Sequence, residues 1–586
     1  MNRSNNNQEL IMGKLAIPSS FILESRESIK LYFDELLSRE LNSVSDLEYL
    51  IDDYATIDNF LSENYAWRYI KQSCNTLDEN LKQSYERFID IIQPEWSRIS
   101  DILNKKCVQN IYADKLSGSY VLFLRGVKRS IELFREENIS LSQEESKLEA
   151  RYSEITSKMT IIHEDKELTL KQAEILLKDA DRSTRKQVMD KILARRDQDK
   201  EELDLLLDKL IAIRHAIALN CGFSDYHVYT HYAKCRFDYT IEDVNQFHQT
   251  IQKVINPLCQ TIHQHRKNIF GYELKPYDFD VALYKKTTNE CYKDTSDLVK
   301  KVVQSLNQTH PGFGDFIQRL DDLKQLDLDT RIGKGPGGYN FPLAQGDTSF
   351  IFMNASNDSY GLFTMLHECG HALHHFYTDG IKPGFQRYPG SEICEIASMA
   401  QELISCDKLD MFFENKTDYN ISLLEKYEDD ILIFPWISKI DLFQQWLYTH
   451  IDHTHEQRHT KWIELVKEYP YDARLGMYES WEGEYLSYLG TSRQKQSHIY
   501  THPFYYIEYA IASLASIAMR KKYLEDPKQG ITYYIDLLKV GDTKTMPDIF
   551  ATGGVVFDFS AQYVQELMNF MSSKISFLQK TLSSSY

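Results

Sequence analysis

The chain has 586 residues and a formal net charge of −19, a balance that argues against nucleic acid or an anionic membrane surface as partner. No apolar run reaches the roughly 20 residues of a membrane span, and Met1-Asn2-Arg3-Ser4-Asn5-Asn6-Asn7-Gln8-Glu9 carries no apolar segment of the kind a secretory signal needs. The nine cysteines are odd in number and irregularly spaced, which fits reduced thiols in a cytoplasm rather than a disulfide framework.

From the start to about residue 195 the pattern is helical with few breaks. Ser43-Val44-Ser45-Asp46 opens a capped helix. Met159 to Leu170 reads as a hairpin turning at Glu164-Asp165-Lys166. Nothing in this region carries chemistry above that of a scaffold. Helices continue from 200 to 330, one stopping at Gly222, and His248, His263 and His265 fall on an amphipathic helix as surface residues.

Gly333-Lys334-Gly335-Pro336-Gly337-Gly338-Tyr339 is glycine-rich but lacks phosphate-loop spacing. Thr348-Ser349-Phe350-Ile351-Phe352-Met353-Asn354 then reads as a strand. A free edge on that strand can hold an extended peptide by backbone pairing, and Gly337 and Gly338 let backbone approach a substrate closely.

The run that follows is His367-Glu368-Cys369-Gly370-His371. Apolar residues at Leu362, Met365, Leu366, Leu373 and Phe376 make it helical, so His367 and His371 share a face one turn apart. Two imidazoles so placed can grip one zinc ion, and Glu368 reaches a water on that metal. A catalytic zinc takes three protein ligands. Pro383, Gly384, Pro389 and Gly390 separate this helix from a second, Ser391 to Glu402, where Glu392, Glu395, Ser398 and Glu402 share a face in an apolar setting. Carboxylates there require partners, and either Glu392 or Glu395 can supply the third ligand. Cys369 and Cys394 read as small core residues.

Further on, His450, His453, His455 and His459 resemble a metal cluster, but Thr454-His455-Glu456-Gln457 has the capping-box pattern, which makes them solvent-exposed histidines. Pro503 suits the start of a helix on which Tyr506 and Tyr509 share a face.

His367-Glu368-Cys369-Gly370-His371 followed by Glu395-Ile396-Ala397-Ser398 resembles the thimet oligopeptidase and oligoendopeptidase F family of zinc metallopeptidases, whose pattern is H-E-x-G-H and then E-x-x-S. Lys234-Cys235-Arg236-Phe237-Asp238-Tyr239-Thr240 extends the resemblance toward the bacterial oligoendopeptidase F and Pz-peptidase branch. The resemblance implies one Zn2+ per chain held by His367, His371 and Glu395, with Glu368 as general base and Glu402 as a supporting acid. It places His374 beside the site, where it orients a ligand or Glu395, because His374 lies about 10 Å along the helix from His367 at ~1.5 Å per residue. It also implies that His498, Tyr506 and Tyr509, with Tyr505 as an extra candidate, close over the metal and bond the substrate. The fold implied is mainly α: a helical two-lobed body around a deep cleft, with a small β-sheet next to the zinc-binding helix. Residues 1–195 are expected to form part of the cleft wall and residues 196–586 the catalytic region. The implied activity is cleavage of internal bonds in short unstructured peptides. Trimming of peptide ends at the same site and peptide binding without catalysis are the rival readings, and the presence of Glu368 weighs against the second.

Overall fold

The computed structural model describes residues 17, 23, 25–344 and 346–584; the stretch Met1 to Glu9, read above for a leader, lies outside them. The fold is mainly α, with small sheets. Helix α1 (Val44–Cys74) begins where Ser43 accepts a hydrogen bond from the Asp46 amide at 3.1 Å, the cap expected from the sequence. The hairpin also forms, pairing β1 (Thr160–His163) with β2 (Lys166–Thr169) across a turn in which Glu164 and Asp165 take positive φ. Among the described residues no helix is long and apolar enough to cross a membrane.

Two large apolar cores divide the helices. One gathers residues between Leu23 and Val127, the other residues between Tyr152 and Leu582. A third, small core couples α1 to a three-stranded sheet of β3 (Leu326–Asp327), β4 (Tyr339–Leu343) and β5 (Thr348–Phe352), through Ala66 and Ile70 against Leu343, Phe350 and Phe352. Trp67 meets Phe350 edge-on at 5.8 Å, and Ser73 Oγ bonds Tyr339 OH at 2.5 Å.

The strand order β3-β5-β4 corrects one expectation. The strand at Thr348 exists, but it ends at Phe352 and is central, with β3 parallel on one side and β4 antiparallel on the other. The edges therefore belong to β3, only two residues long, and to β4, which offers the five-residue edge. The physical reason is visible in the residues. All five positions of β5 are buried, as an unbroken Thr-Ser-Phe-Ile-Phe run demands, whereas β4 contains Pro342, which has no N–H to donate and belongs on an edge.

Helix α2 (Ser359–Tyr377) carries the histidine pair and starts at Asp358, whose Oδ1 accepts from the Gly361 amide at 3.0 Å. Helix α3 (Ser391–Ser405) packs against it at close range because Gly370 has no side chain: a Cβ there would lie 2.5 Å from Ser398 Cα and 2.7 Å from the Ala397 carbonyl oxygen. Helix α4 (Lys416–Thr449) continues through Pro435 and reaches α3 by the pair Lys426–Glu402. Helices α5 (Ser497–Thr501) and α6 (Tyr506–Glu525) complete the surroundings.

Pro503 does not start a helix. It sits in the connection before α6, where the Phe504 amide donates to Gln444 Oε1 at 3.2 Å and the Phe504 carbonyl accepts from Arg236 Nη2 at 2.5 Å. These tertiary bonds delay the helix to Tyr506. The dispersed histidines are also less exposed than expected. His248 and His263 are 2% and 3% exposed, and His248 is held between Ser438 Oγ (3.0 Å) and Asp441 Oδ2 (2.8 Å) of α4. Of the later cluster, His450 is exposed, but His453, His455 and His459 are half-buried and bond Arg458, Asp208 and Asp204 respectively. The capping box at Thr454 forms.

Candidate active site

His367 and His371 stand one turn apart on α2 with ring centres 4.8 Å apart. Glu395 reaches them from α3: its Oε2 lies 3.2 Å from His367 Nε2 and 3.7 Å from His371 Nε2. Among the described residues these three form the one cluster of His, Cys, Asp or Glu whose donor atoms converge as metal ligands do, all within 4.8 Å of one another. Two imidazole nitrogens and a carboxylate oxygen suit zinc and leave a coordination position open. Glu392, the other candidate, points elsewhere and accepts from Tyr239 OH at 2.5 Å.

The surroundings hold two of the three donors, His367 and Glu395, in place. His367 Nδ1 lies 2.7 Å from Glu402 Oε1, and Glu402 Oε2 lies 2.9 Å from Lys426 Nζ, which also pairs with Asp430. A carboxylate on the far nitrogen is what fixes a ligating imidazole. Glu395 Oε1 accepts from Tyr505 OH at 2.6 Å and its Oε2 from Ser398 Oγ at 3.2 Å. Burial works against the charge of Glu395, but His371, His367 and Tyr505 outweigh it and hold the carboxyl down at about 2. Burial pushes His371 down to about 4, so its ring is neutral at pH 7 and its lone pair is free to ligate.

Glu368 differs from its neighbours. It is 4% exposed, its Oε2 has no hydrogen-bond partner, and burial pushes its carboxyl up to about 8. Gly338, just before β4, allows this placement: a Cβ there would stand 3.1 Å from Glu368 Oε1. The free edge of β4 thus begins directly beside Glu368.

His498, Tyr505, Tyr506 and Tyr509 converge on the same region from α5 and the start of α6. His498 lies 5.0 Å from Tyr506 and 5.8 Å from Tyr509, and Tyr505 and Tyr509 stand 5.2 Å apart by ring centres. His498 Nδ1 accepts from Gln496 Nε2 at 2.8 Å, which leaves the ring proton on Nε2, 3.3 Å from Tyr509 OH. Tyr506 and Tyr509 line a cavity of about 420 Å³ that begins at His367. Tyr505, the extra candidate in the sequence, is the tyrosine bonded to Glu395; its four-residue spacing from Tyr509 is the signal that pairs them.

Two further outcomes concern residues singled out by sequence. His374 is 4% exposed, its Nε2 has no partner, and burial pushes it down to about 3. Among the described residues no hydrogen bond joins it to His367, His371 or Glu395; Glu402 bonds His367 and Tyr505 bonds Glu395 instead. The Lys234–Thr240 segment proves to be a brace. Arg236 Nη2 pairs with Glu508 at 2.7 Å and bonds the Phe504 carbonyl, so it fixes the turn that presents Tyr505.

A histidine pair, an adjacent carboxylate and a glutamate from the next helix define the H-E-x-x-H class of metal centre. Residues 175–569 match the model of Peptidase family M3 and residues 23–134 that of the Peptidase M3 N-terminal domain. The chain belongs to Peptidase family M3. It is 24% identical over 333 residues to an "Oligoendopeptidase F homolog" of Borreliella burgdorferi, covering 55% of this chain and 54% of that protein. It is 22% identical over 325 residues to "Oligopeptidase PepF" of Bacillus subtilis, covering 53% and 46%. The chain spans about half the length of the curated relatives it matches. Its fold resembles that of the solved structure "PZ PEPTIDASE A with inhibitor 2", with a TM-score of 0.88 at 23% identity over 94% of this chain and 97% of that one. A putative oligoendopeptidase F from Bacillus anthracis gives a TM-score of 0.83 at 21% identity over 95% and 96%.

Proposed function

We propose that the chain is a zinc-dependent endopeptidase that cuts internal bonds of short, unstructured peptides. The observation that carries the proposal is the convergence of His367, His371 and Glu395 beside a buried Glu368 that has an unbonded oxygen. Zinc held by those three residues supplies Lewis-acid polarisation of the scissile carbonyl and a lowered pKa for the attacking water.

The chain's own groups do the rest. Glu368, free of competing hydrogen bonds, accepts the proton of the attacking water and delivers a proton to the departing amine. With the Nε2 proton of His498 directed at its oxygen, Tyr509 is free to donate its own hydroxyl proton to the developing oxyanion, an interaction of a kind worth about 3 kcal/mol per donor. Tyr505 keeps Glu395 oriented, and Glu402 keeps His367 in one tautomer. The free edge of β4 pairs with an extended substrate backbone, with the helices of the N-terminal region, residues 1–195, as part of the wall. A strand-sized edge beside a buried base admits unfolded peptides and excludes folded domains. The nine unpaired thiols fit a cytoplasmic setting.

The test is Glu368→Gln, assayed on a series of internally quenched peptides with metal content measured in parallel. Zinc retained near one per chain with cleavage reduced by about 10²-fold or more is expected. Unchanged cleavage overturns the scheme, and product masses separate internal cutting from trimming of ends.

A further inference from the structure

The cavity that opens at His367, Tyr506 and Tyr509 has walls of two kinds. Near the centre two apolar side chains face it. Phe363 lies one turn before His367 on α2, and Met399 one turn after Glu395 on α3. Eight carboxylates, Glu402 beside His367 among them, and five lysine or arginine side chains line the rest of the space.

Most of these charges are already committed. Lys178 pairs with Asp358, Lys286 with Glu425 at 2.6 Å, Lys426 with Glu402 and Asp430, and Arg474 with Asp429 at 3.4 Å. Asp472 pairs with Lys439, outside the cavity. Two carboxylates remain without an ion pair among the described residues. Asp280 has no hydrogen bond and stays solvent-accessible, and Glu428, 6% exposed, accepts only from the Gln579 amide at 3.1 Å. Against these two stands one further cation, Arg266, which makes no ion pair among the described residues: its guanidinium bonds the carbonyls of Asp278 and Val281 at 3.2 and 2.8 Å, and its charge acts on Glu428 and Asp280 from there.

A third acid points the same way. Asp430, 6% exposed and on the same wall, leaves Oδ2 without any hydrogen-bond partner. Buried carboxylate oxygens left unbonded are costly. Burial accordingly pushes Glu428 and Asp430 each up to about 7. A group that brings positive charge relieves that cost, whereas an incoming carboxylate meets an excess of like charge, with Arg474 engaged by Asp429 and Arg266 already facing Glu428.

We propose that this cavity is a specificity subsite for a lysine or arginine side chain of the peptide, with Asp280 and Glu428 receiving its charged head. The aliphatic stem of such a side chain lies against Phe363 and Met399 while the head reaches the carboxylates, the division that long cationic side chains favour. The assignment rests on the peptidase reading above, and it selects substrates by a cationic residue close to the cut bond.

The experiment uses the zinc-loaded full chain and matched quenched peptides that carry lysine, norleucine or glutamate at one position, moved residue by residue across the cut site. At one position lysine is expected to exceed norleucine in kcat/KM by about tenfold or more, with glutamate last. In Asp280→Asn and Glu428→Gln that lysine-to-norleucine ratio falls toward unity. Thermal melting of each variant checks folding, and Asp280, being solvent-accessible, is the variant least able to disturb the core. Calorimetric binding of the same peptides to Glu368→Gln reads the subsite without turnover. Cleavage without a lysine preference, a preference for glutamate, or a ratio unmoved by both substitutions overturns the subsite and leaves the peptidase reading intact. Lysine-dependent binding that both substitutions abolish, with no cleavage by the unmutated chain, overturns the peptidase reading and keeps the subsite. Absence of both overturns both.

Discussion

Replacing Gly370 by alanine puts a methyl group where α2 and α3 touch. Two effects compete. Removing a glycine from a helix interior gains about 1 kcal/mol in helix propensity. Against this, the new Cβ would sit 2.5 Å from Ser398 Cα and 2.7 Å from the Ala397 carbonyl oxygen, where carbon atoms pack at about 3.5–4.0 Å. Both opposing atoms are backbone, so no side-chain rotation relieves the clash and the helices must part by about 1 Å. Overpacking of this kind costs about 1–3 kcal/mol, and with backbone on the far side the upper end applies, for a net loss of about 2 kcal/mol.

The larger consequence is at the proposed zinc site. Glu395 lies one turn before Ser398 on the helix that moves, while His367 and His371 stay with α2. Metal–ligand distances tolerate only about 0.2 Å, so a 1 Å parting of the helices pulls Glu395 out of register and zinc affinity falls by about 10–100-fold. Competition against a chromophoric chelator measures the affinity, and thermal unfolding with and without zinc measures the stability. Gly126→Ala is the control, because a Cβ at this helical glycine meets nothing within 4 Å; it should be neutral or gain up to about 1 kcal/mol. Wild-type zinc affinity together with wild-type melting in Gly370→Ala refutes the account of how the two helices build the site.

Two substitutions among the tyrosines should separate cleanly. Tyr505→Phe removes the 2.6 Å bond to Glu395 and should weaken zinc binding by about 10-fold or more, whereas Tyr509→Phe should retain zinc and lower kcat by about 10²-fold; the reverse pattern in chelator competition and steady-state kinetics refutes both roles. Away from the site, burial alone would raise the pKa of Asp204, but His459, Arg493 and Arg458 hold its carboxyl well below the usual range. A depressed carboxylate contributes stability above its unfolded pKa of about 3.9, and loses it as pH falls through the folded value. Asp204→Asn should therefore be less stable at pH 7 by about 3–5 kcal/mol, since Arg493 stays buried without its carboxylate while Arg458 keeps only Asp208. The gap in urea midpoint between the two proteins should narrow below pH 4, and a constant gap refutes the assignment.

What was legible in the sequence was local. The histidine pair declares itself through helical spacing, and apolar periodicity marks the acidic face of the next helix, but spacing alone leaves Glu392 and Glu395 open there and only the family resemblance singles out Glu395. The caps at Ser43 and Thr454 and the hairpin at Glu164-Asp165 are likewise decided within a few residues. The strand at Thr348 could be recognised but not its rank in the sheet, because two residues at Leu326 take its other edge, too short a segment to carry a pattern. Histidine burial was also hidden. His248 is placed by Ser438 and Asp441, about 190 residues away, and its own helix gives no sign of them.

The tyrosine segment shows the same limit with a functional consequence. Pro503 and helix periodicity favour Tyr506 and Tyr509, which indeed line the cavity, but which hydroxyl meets a ligand depends on where the helix starts. That start is set by Arg236, 268 residues earlier, holding the Phe504 carbonyl, and by Gln444 holding its amide. With both ends of Phe504 fixed, Tyr505 is left at the mouth of the helix facing Glu395. The result is a centre in which the proposed ligands His367 and Glu395 are each tied by a partner from a different element, while Glu368 alone keeps an oxygen unbonded. An enzyme that must move a proton needs that inequality: ligands that cannot turn, and one carboxylate whose lone pair is already free.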